Sequence, residues 1–135
     1  MTSQARPAYS HDASLNYLQV AAITRIEASF GIDASFLEVD LGHEALSVWK
    51  EKTRHYLQFA LSGEYQKQFG QDRFRVIVLA NSLRRLNSIR ATVAAITQKI
   101  FWFSTLDAVR DDRFFASVWL RPADETQQPF FDLSL

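Results

Sequence analysis

The chain has 135 residues, of which 47% are apolar and 22% charged, with 15 Lys and Arg balanced by 15 Asp and Glu and no cysteine. That length suits one domain with a real core, and the composition excludes disordered and fibrous classes. Without cysteine there are no disulfides, thiolate zinc sites or cysteine nucleophiles, and no stretch approaches the roughly 20 apolar residues of a membrane span.

The first residues, Met1 to Pro7, carry no apolar leader, so a cytoplasmic protein with no membrane partner is expected. Residues 1–12 are polar and read as a flexible lead-in, 13–122 as a single domain, and 123–135 as a C-terminal tail whose Phe130 and Phe131 are expected to be pinned to the core. Ala13 to Ala21 and Ile23 to Phe30 alternate as strands do. The break at Gly31, Ile32 and Asp33 permits a turn into a third strand, so three antiparallel strands are expected.

That third strand runs Phe36-Leu37-Glu38-Val39-Asp40-Leu41. Alternation directs Leu37, Val39 and Leu41 to a core and Glu38 and Asp40 together to the other face, roughly 7 Å apart at the Cα level. Paired carboxylates at a strand end suit a hard cation such as Mg2+ or Mn2+, which polarises phosphate and acidifies water.

The period turns helical from Glu44, through Leu46, Trp49, Thr53, Tyr56, Leu57, Ala60 and Leu61, and fades near Ser62 and Gly63. Lys52 borders the apolar stripe one turn before Tyr56, from where it can reach the sheet and offset charge on a phosphate. Tyr56 reads as a core tyrosine and Glu44 as a favourable charge at the helix start. Next, Phe74 to Ala80 contains an aliphatic run typical of a strand buried on both faces and reached by a crossover helix. Asn81 or Ser82 can cap a further helix with a stripe at Leu86, Ile89, Val93 and Ile96. Arg84, Arg85 and Arg90 lie largely off that stripe and are candidates to clamp a nucleic-acid backbone. They belong to a basic island: from Arg73 to Lys99 there are six cations and no acid, against six acids and three arginines in 106–135. Ile100 to Ser104 reads as a strand, Thr105 to Arg110 as a helical turn, and Phe114 to Leu120 as a last strand before Pro122. No nucleophilic triad, Walker loop or dinucleotide fingerprint is present.

Three strands, a helix and a buried parallel strand, with paired acids on the third strand, resemble the PD-(D/E)xK nuclease superfamily and its restriction-endonuclease-like α/β core. More narrowly, Phe36 to Glu44 followed by Lys52 and Tyr56 resembles the core of the replication-relaxation family of bacterial plasmid-associated proteins, as do Phe74 to Ser82 with Arg84 and Arg85, and Phe101 to Asp107. His43 stands where that family commonly has Thr. The resemblance implies a DNA-binding, nuclease-like domain connected with plasmid or mobile-element replication and maintenance, and a small domain of this type often acts as a homodimer. It implies Glu38 and Asp40 as catalytic acids and metal ligands. The lysine usually found two residues after the acid is replaced here by Asp40, which leaves Lys52 as the catalytic lysine. For the superfamily's earlier acidic ligand Asp12 is the candidate, in competition with Asp33 and Glu27. A catalytically inactive regulatory or protein-interaction module on the same fold is the alternative.

Overall fold

The computed structural model describes residues 22–28, 31–69, 74–111 and 113–130. Its architecture is mixed α/β. Strands β1 (Ala22–Ala28) and β2 (Gly31–Asp40) are followed by helices α1 (Leu46–Ser62) and α2 (Glu64–Phe69), strand β3 (Arg75–Ala80), helix α3 (Leu83–Ala94), strand β4 (Phe101–Thr105) and a 3-10 turn at Arg113–Phe115. The strands form one sheet in the order β1-β2-β3-β4.

Of the three antiparallel strands expected, the second and the acid strand pair antiparallel as β1 and β2, whereas β2, β3 and β4, which carry and flank the acids, are all parallel. Antiparallel pairing between named strands is confined to β1 with β2. The expected first strand, 13–21, lies outside the described residues. The parallel arrangement follows from β3: Val76 to Ala80 are all buried, and a strand apolar on both sides needs cover on both sides. Helices α1 and α3 provide one cover, each crossing from one strand to its parallel neighbour.

One core joins Phe36 on β2, Val76, Val78 and Ala80 on β3, and Phe101 and Phe103 on β4 to Trp49, Tyr56 and Phe59 of α1 and Leu86, Ile89 and Val93 of α3. On the opposite sheet face, Ile77 and Leu79 pack with Val118, Trp119 and Phe130 of the C-terminal segment. Phe114 to Leu120 is not the expected strand. Phe114 and Phe115 turn in the 3-10 segment, and pairing is limited to single bridges, Phe103 with Leu120 and Trp119 with Gln128. The three aromatics Phe114, Trp119 and Phe130 contact one another at 5.0 to 5.3 Å between ring centroids, a cluster that a flat strand cannot assemble.

Candidate functional site

Glu38 and Asp40 share one face of β2, but it is the covered face. Their exposures are 4% and 1%, whereas Val39 and Leu41 are 41% and 52% exposed, so the expected inward and outward sets are exchanged. The reason is tertiary. Phe36, in phase with the two acids, anchors the helix-covered core, and period-2 geometry then carries Glu38 and Asp40 under α1 with it.

Burying a carboxylate is costly unless charged or hydrogen-bonded partners offset it, and both acids have them. Asp40 ends β2. Gly42, with a φ of +89° that non-glycine residues rarely adopt, turns the chain so that its N–H donates to Asp40 Oδ1 at 2.8 Å. From α1, Trp49 Nε1 donates to Asp40 Oδ2 at 2.8 Å. From the first turn of α3, Arg85 closes a two-pronged fork on the same carboxylate, Nε to Oδ1 at 2.8 Å and a terminal nitrogen to Oδ2 at 3.0 Å. The same terminal nitrogen also donates to the main-chain oxygen of Glu44. Ser82 caps α3 by accepting from Arg85 N at 3.2 Å, which places Arg85 at the helix start.

Glu38 is held differently. Tyr56 donates its hydroxyl to Oε1 at 3.0 Å, and Lys52 Nζ lies 3.3 Å from Oε2. Lys52 also reaches Glu44 at 2.8 Å and sits 5.0 Å from the centre of the Trp49 ring. Glu44 thus pairs with Lys52 ahead of the helix, whose N-cap position is Ala45. Burial pushes the Glu38 carboxyl above its ordinary range, against the opposing pull of Lys52 and Tyr56. Burial also acts to raise Asp40, but the hydrogen bonds from Arg85, Trp49 and Gly42 outweigh it and hold this group below the ordinary range. The Tyr56 hydroxyl, buried and facing Glu38, is held protonated well above its usual value.

The structure therefore brings Glu38, Asp40 and Lys52 together, and adds Arg85, Trp49, Tyr56 and Glu44. The group lies at the carboxyl ends of β2 and β3, where ligands of open parallel sheets gather. Trp49 and Tyr56 were legible only as helix-stripe residues. The available signal was that a buried indole N–H or phenol O–H needs an acceptor, and two acids stood nearby in sequence.

The proposed arginine clamp divides. Arg84 is exposed, whereas Arg85 is committed to Asp40. Arg90 is not a phosphate contact: at 3% exposure it lies among the buried residues of α3 and donates to the main-chain oxygens of Arg121 at 3.0 and 3.1 Å and Asp124 at 2.9 Å. It tethers the C-terminal segment because its long side chain spans from helix to loop. Arg75 stacks against Trp102 and Phe130. Asp12 lies outside the described residues.

A divalent cation does not fit this arrangement. Each oxygen of Asp40 already accepts two donors, one of them on Arg85, and Glu38 and Glu44 converge on Lys52. Among the described residues no group of three His, Cys, Asp or Glu side chains is placed to hold a metal, and no helix is long and apolar enough to cross a membrane. No family model, curated protein or solved structure matches the chain.

Proposed function

We propose that this chain is a DNA-binding domain laid out like the PD-(D/E)xK nucleases, serving plasmid or mobile-element replication, with its acid cluster closed by Lys52 and Arg85. The observation that carries the reading is the reach of Lys52 from α1 to Glu38, which joins the two acids and the helix-borne lysine of the replication-relaxation pattern at the carboxyl edge of parallel strands. Buried charge supports function over stability, since apolar residues of similar volume usually stabilise a fold as well or better. Arg84, exposed on the first turn of α3 beside the cluster, supplies a backbone-phosphate contact. The domain works as a homodimer on duplex DNA in the cytoplasm, and sedimentation of the free protein tests the dimer.

A second reading, a phosphodiesterase using Mg2+ or Mn2+, is favoured by charge but requires the Arg85 fork to leave Asp40, since no cation fits the closed arrangement. The carboxylates of Glu38, Asp40 and Glu44 face two cations, Lys52 and Arg85, leaving one negative charge that a cation would offset. In this reading Glu38, Asp40 and Lys52 form the reacting site. Titration of labelled duplex DNA across salt concentrations tests the first reading: binding should weaken with salt, and Arg84→Ala should reduce the slope of log K against log salt by about 1. Salt-independent or absent binding overturns it. Incubation with supercoiled, linear and branched DNA in Mn2+, Mg2+ or EDTA separates the two, because metal-dependent cutting lost in Asp40→Asn establishes the phosphodiesterase.

A further inference from the structure

We propose that a cleft at the amino ends of β3 and β4, across the sheet from the acid cluster, binds a phosphate monoester carried beside a hydroxyl, as in a sugar phosphate or a nucleotide. The cleft measures about 360 Å3 and is lined by Arg121, Gln98, Gln128, Asp124 and Ala123. That volume suits a small molecule or a single nucleotide.

Arg121 is the built part of the site. Its Nε donates to Phe101 O at 3.0 Å and one Nη2 hydrogen to Gln98 O at 3.3 Å. These two bonds occupy the side of the guanidinium that carries Nε. The end-on fork, made by Nη1 and the other Nη2 hydrogen, has no acceptor among the described residues, and such a fork matches two oxygens of one anion. The guanidinium lies 4.2 Å from the centre of the Trp102 ring, which fixes its plane, and Arg75 lies 4.8 Å from the same ring. Two permanent cations therefore share one indole. Burial first, and then the nearness of Arg75, press the Arg121 group below the ordinary arginine value, against the pull of Asp124. An anion on the open fork offsets the repulsion between the two arginines. The loop that presents the Gln98 and Phe101 oxygens passes through Ile100 at a φ of +62°, a conformation costly for a β-branched residue, so this geometry is held against strain.

The rest of the lining selects the ligand. The side-chain amides of Gln98 and Gln128 have no partner among the described residues and add two N–H donor groups to the fork. The three terminal oxygens of a phosphate monoester can take the fork and both amides together, whereas a carboxylate offers only two oxygens. Asp124 Oδ1 accepts from Thr126 N at 2.9 Å, which leaves Oδ2 as an acceptor for a hydroxyl of the ligand.

The test is titration of the full chain followed by 15N NMR, reading Arg121 Nε–H and the side-chain amides of Gln98 and Gln128. The probes are ribose 5-phosphate, methyl phosphate, ribose and a 5′-phosphorylated single-stranded oligonucleotide. Ribose 5-phosphate should shift these signals saturably, methyl phosphate should bind several-fold more weakly because it gives Asp124 nothing, and ribose should leave the signals unmoved. Arg121→Lys keeps the charge but loses the fork, and should weaken binding by about tenfold. If that variant fails to fold, Gln98→Ala/Gln128→Ala, which removes two side chains without partners, should still weaken binding several-fold. Tighter binding of the oligonucleotide than of ribose 5-phosphate assigns the site to a strand end, and equal or weaker binding assigns it to a free metabolite. No saturable shift with any phosphate probe at millimolar concentration overturns the proposal, as does binding that survives in the folded variants. The readout lies at the far end of the sheet from Glu38, Asp40 and Arg84, so it is independent of whether the domain binds or cuts DNA.

Discussion

Asp40 accepts four hydrogen bonds, two of them from a guanidinium, whereas Glu38, two residues away, accepts one from Tyr56 and one from Lys52. The fold consequently prefers Asp40 charged and shifts Glu38 toward its neutral form. Opposite pH dependences follow. Asp40, with its folded pKa depressed, contributes stability that is present above the ordinary value of 3.8 and is lost as pH falls through the folded value. Glu38, with its folded pKa raised, gains stability on protonation as pH falls through its folded value toward the ordinary 4.5. Neutral isosteres should expose the difference in urea unfolding. Asp40→Asn should cost about 2–4 kcal/mol at neutral pH and flatten the acid loss of stability. Glu38→Gln should cost less, roughly 1–2 kcal/mol, and leave the acid loss steeper because its opposing gain is gone. A larger neutral-pH cost for Glu38→Gln would contradict these pairings. The residue types at the site were legible in the sequence. Their partners were not, because Arg85 and Asp40 stand 45 residues apart and only the packing of α3 against the sheet brings them together.

At the scale of elements, periodicity located α1, β3 and α3 because each buries a continuous stripe. Trp49, Thr53 and Tyr56 of α1 are buried as its period requires, but the next buried position is Phe59, while Leu61 is 87% exposed. Steps of three and four lead from Tyr56 to Phe59 and Ala60 and from Leu57 to Leu61, so the period alone permits either side of the helix end. The choice falls to aromatic contacts, since Phe59 lies 5.9 Å from Phe36 and 5.7 Å from Phe74 between ring centroids. Arg90 shows the same limit: on the helix wheel it borders the apolar stripe, and only the arrival of residues 121–125 explains a buried guanidinium there. Arg90→Ala leaves the Arg121 and Asp124 carbonyls without their charged donor. It should cost about 2–4 kcal/mol and speed hydrogen exchange in 118–128 more than in α1. Its effect on DNA affinity should be small, and a large loss of affinity with unchanged stability would return Arg90 to the binding surface.

For the whole molecule, the C-terminal segment is the second cover of the sheet. Trp119 and Phe130 are fully buried against Ile77 and Leu79, each contributing roughly 1.5–3 kcal/mol through apolar burial. A chain ending at Ala116 should therefore lose cooperative thermal unfolding and bind a hydrophobic dye, because one face of β3 and β4 would be left bare. A sharp unfolding transition in that truncated chain would show that the helix-covered face suffices. By itself the sequence determined the local features: helical and strand periods, the capped start of α3, and an acid pair two residues apart on one strand face, all of which depend on neighbours within a few residues. The tertiary structure decided which face of β2 is buried and the pairing of Asp40 with Arg85 and of Glu38 with Lys52. Those outcomes depend on which distant surfaces cover one another, since a buried charge takes its partner from whichever element packs against it.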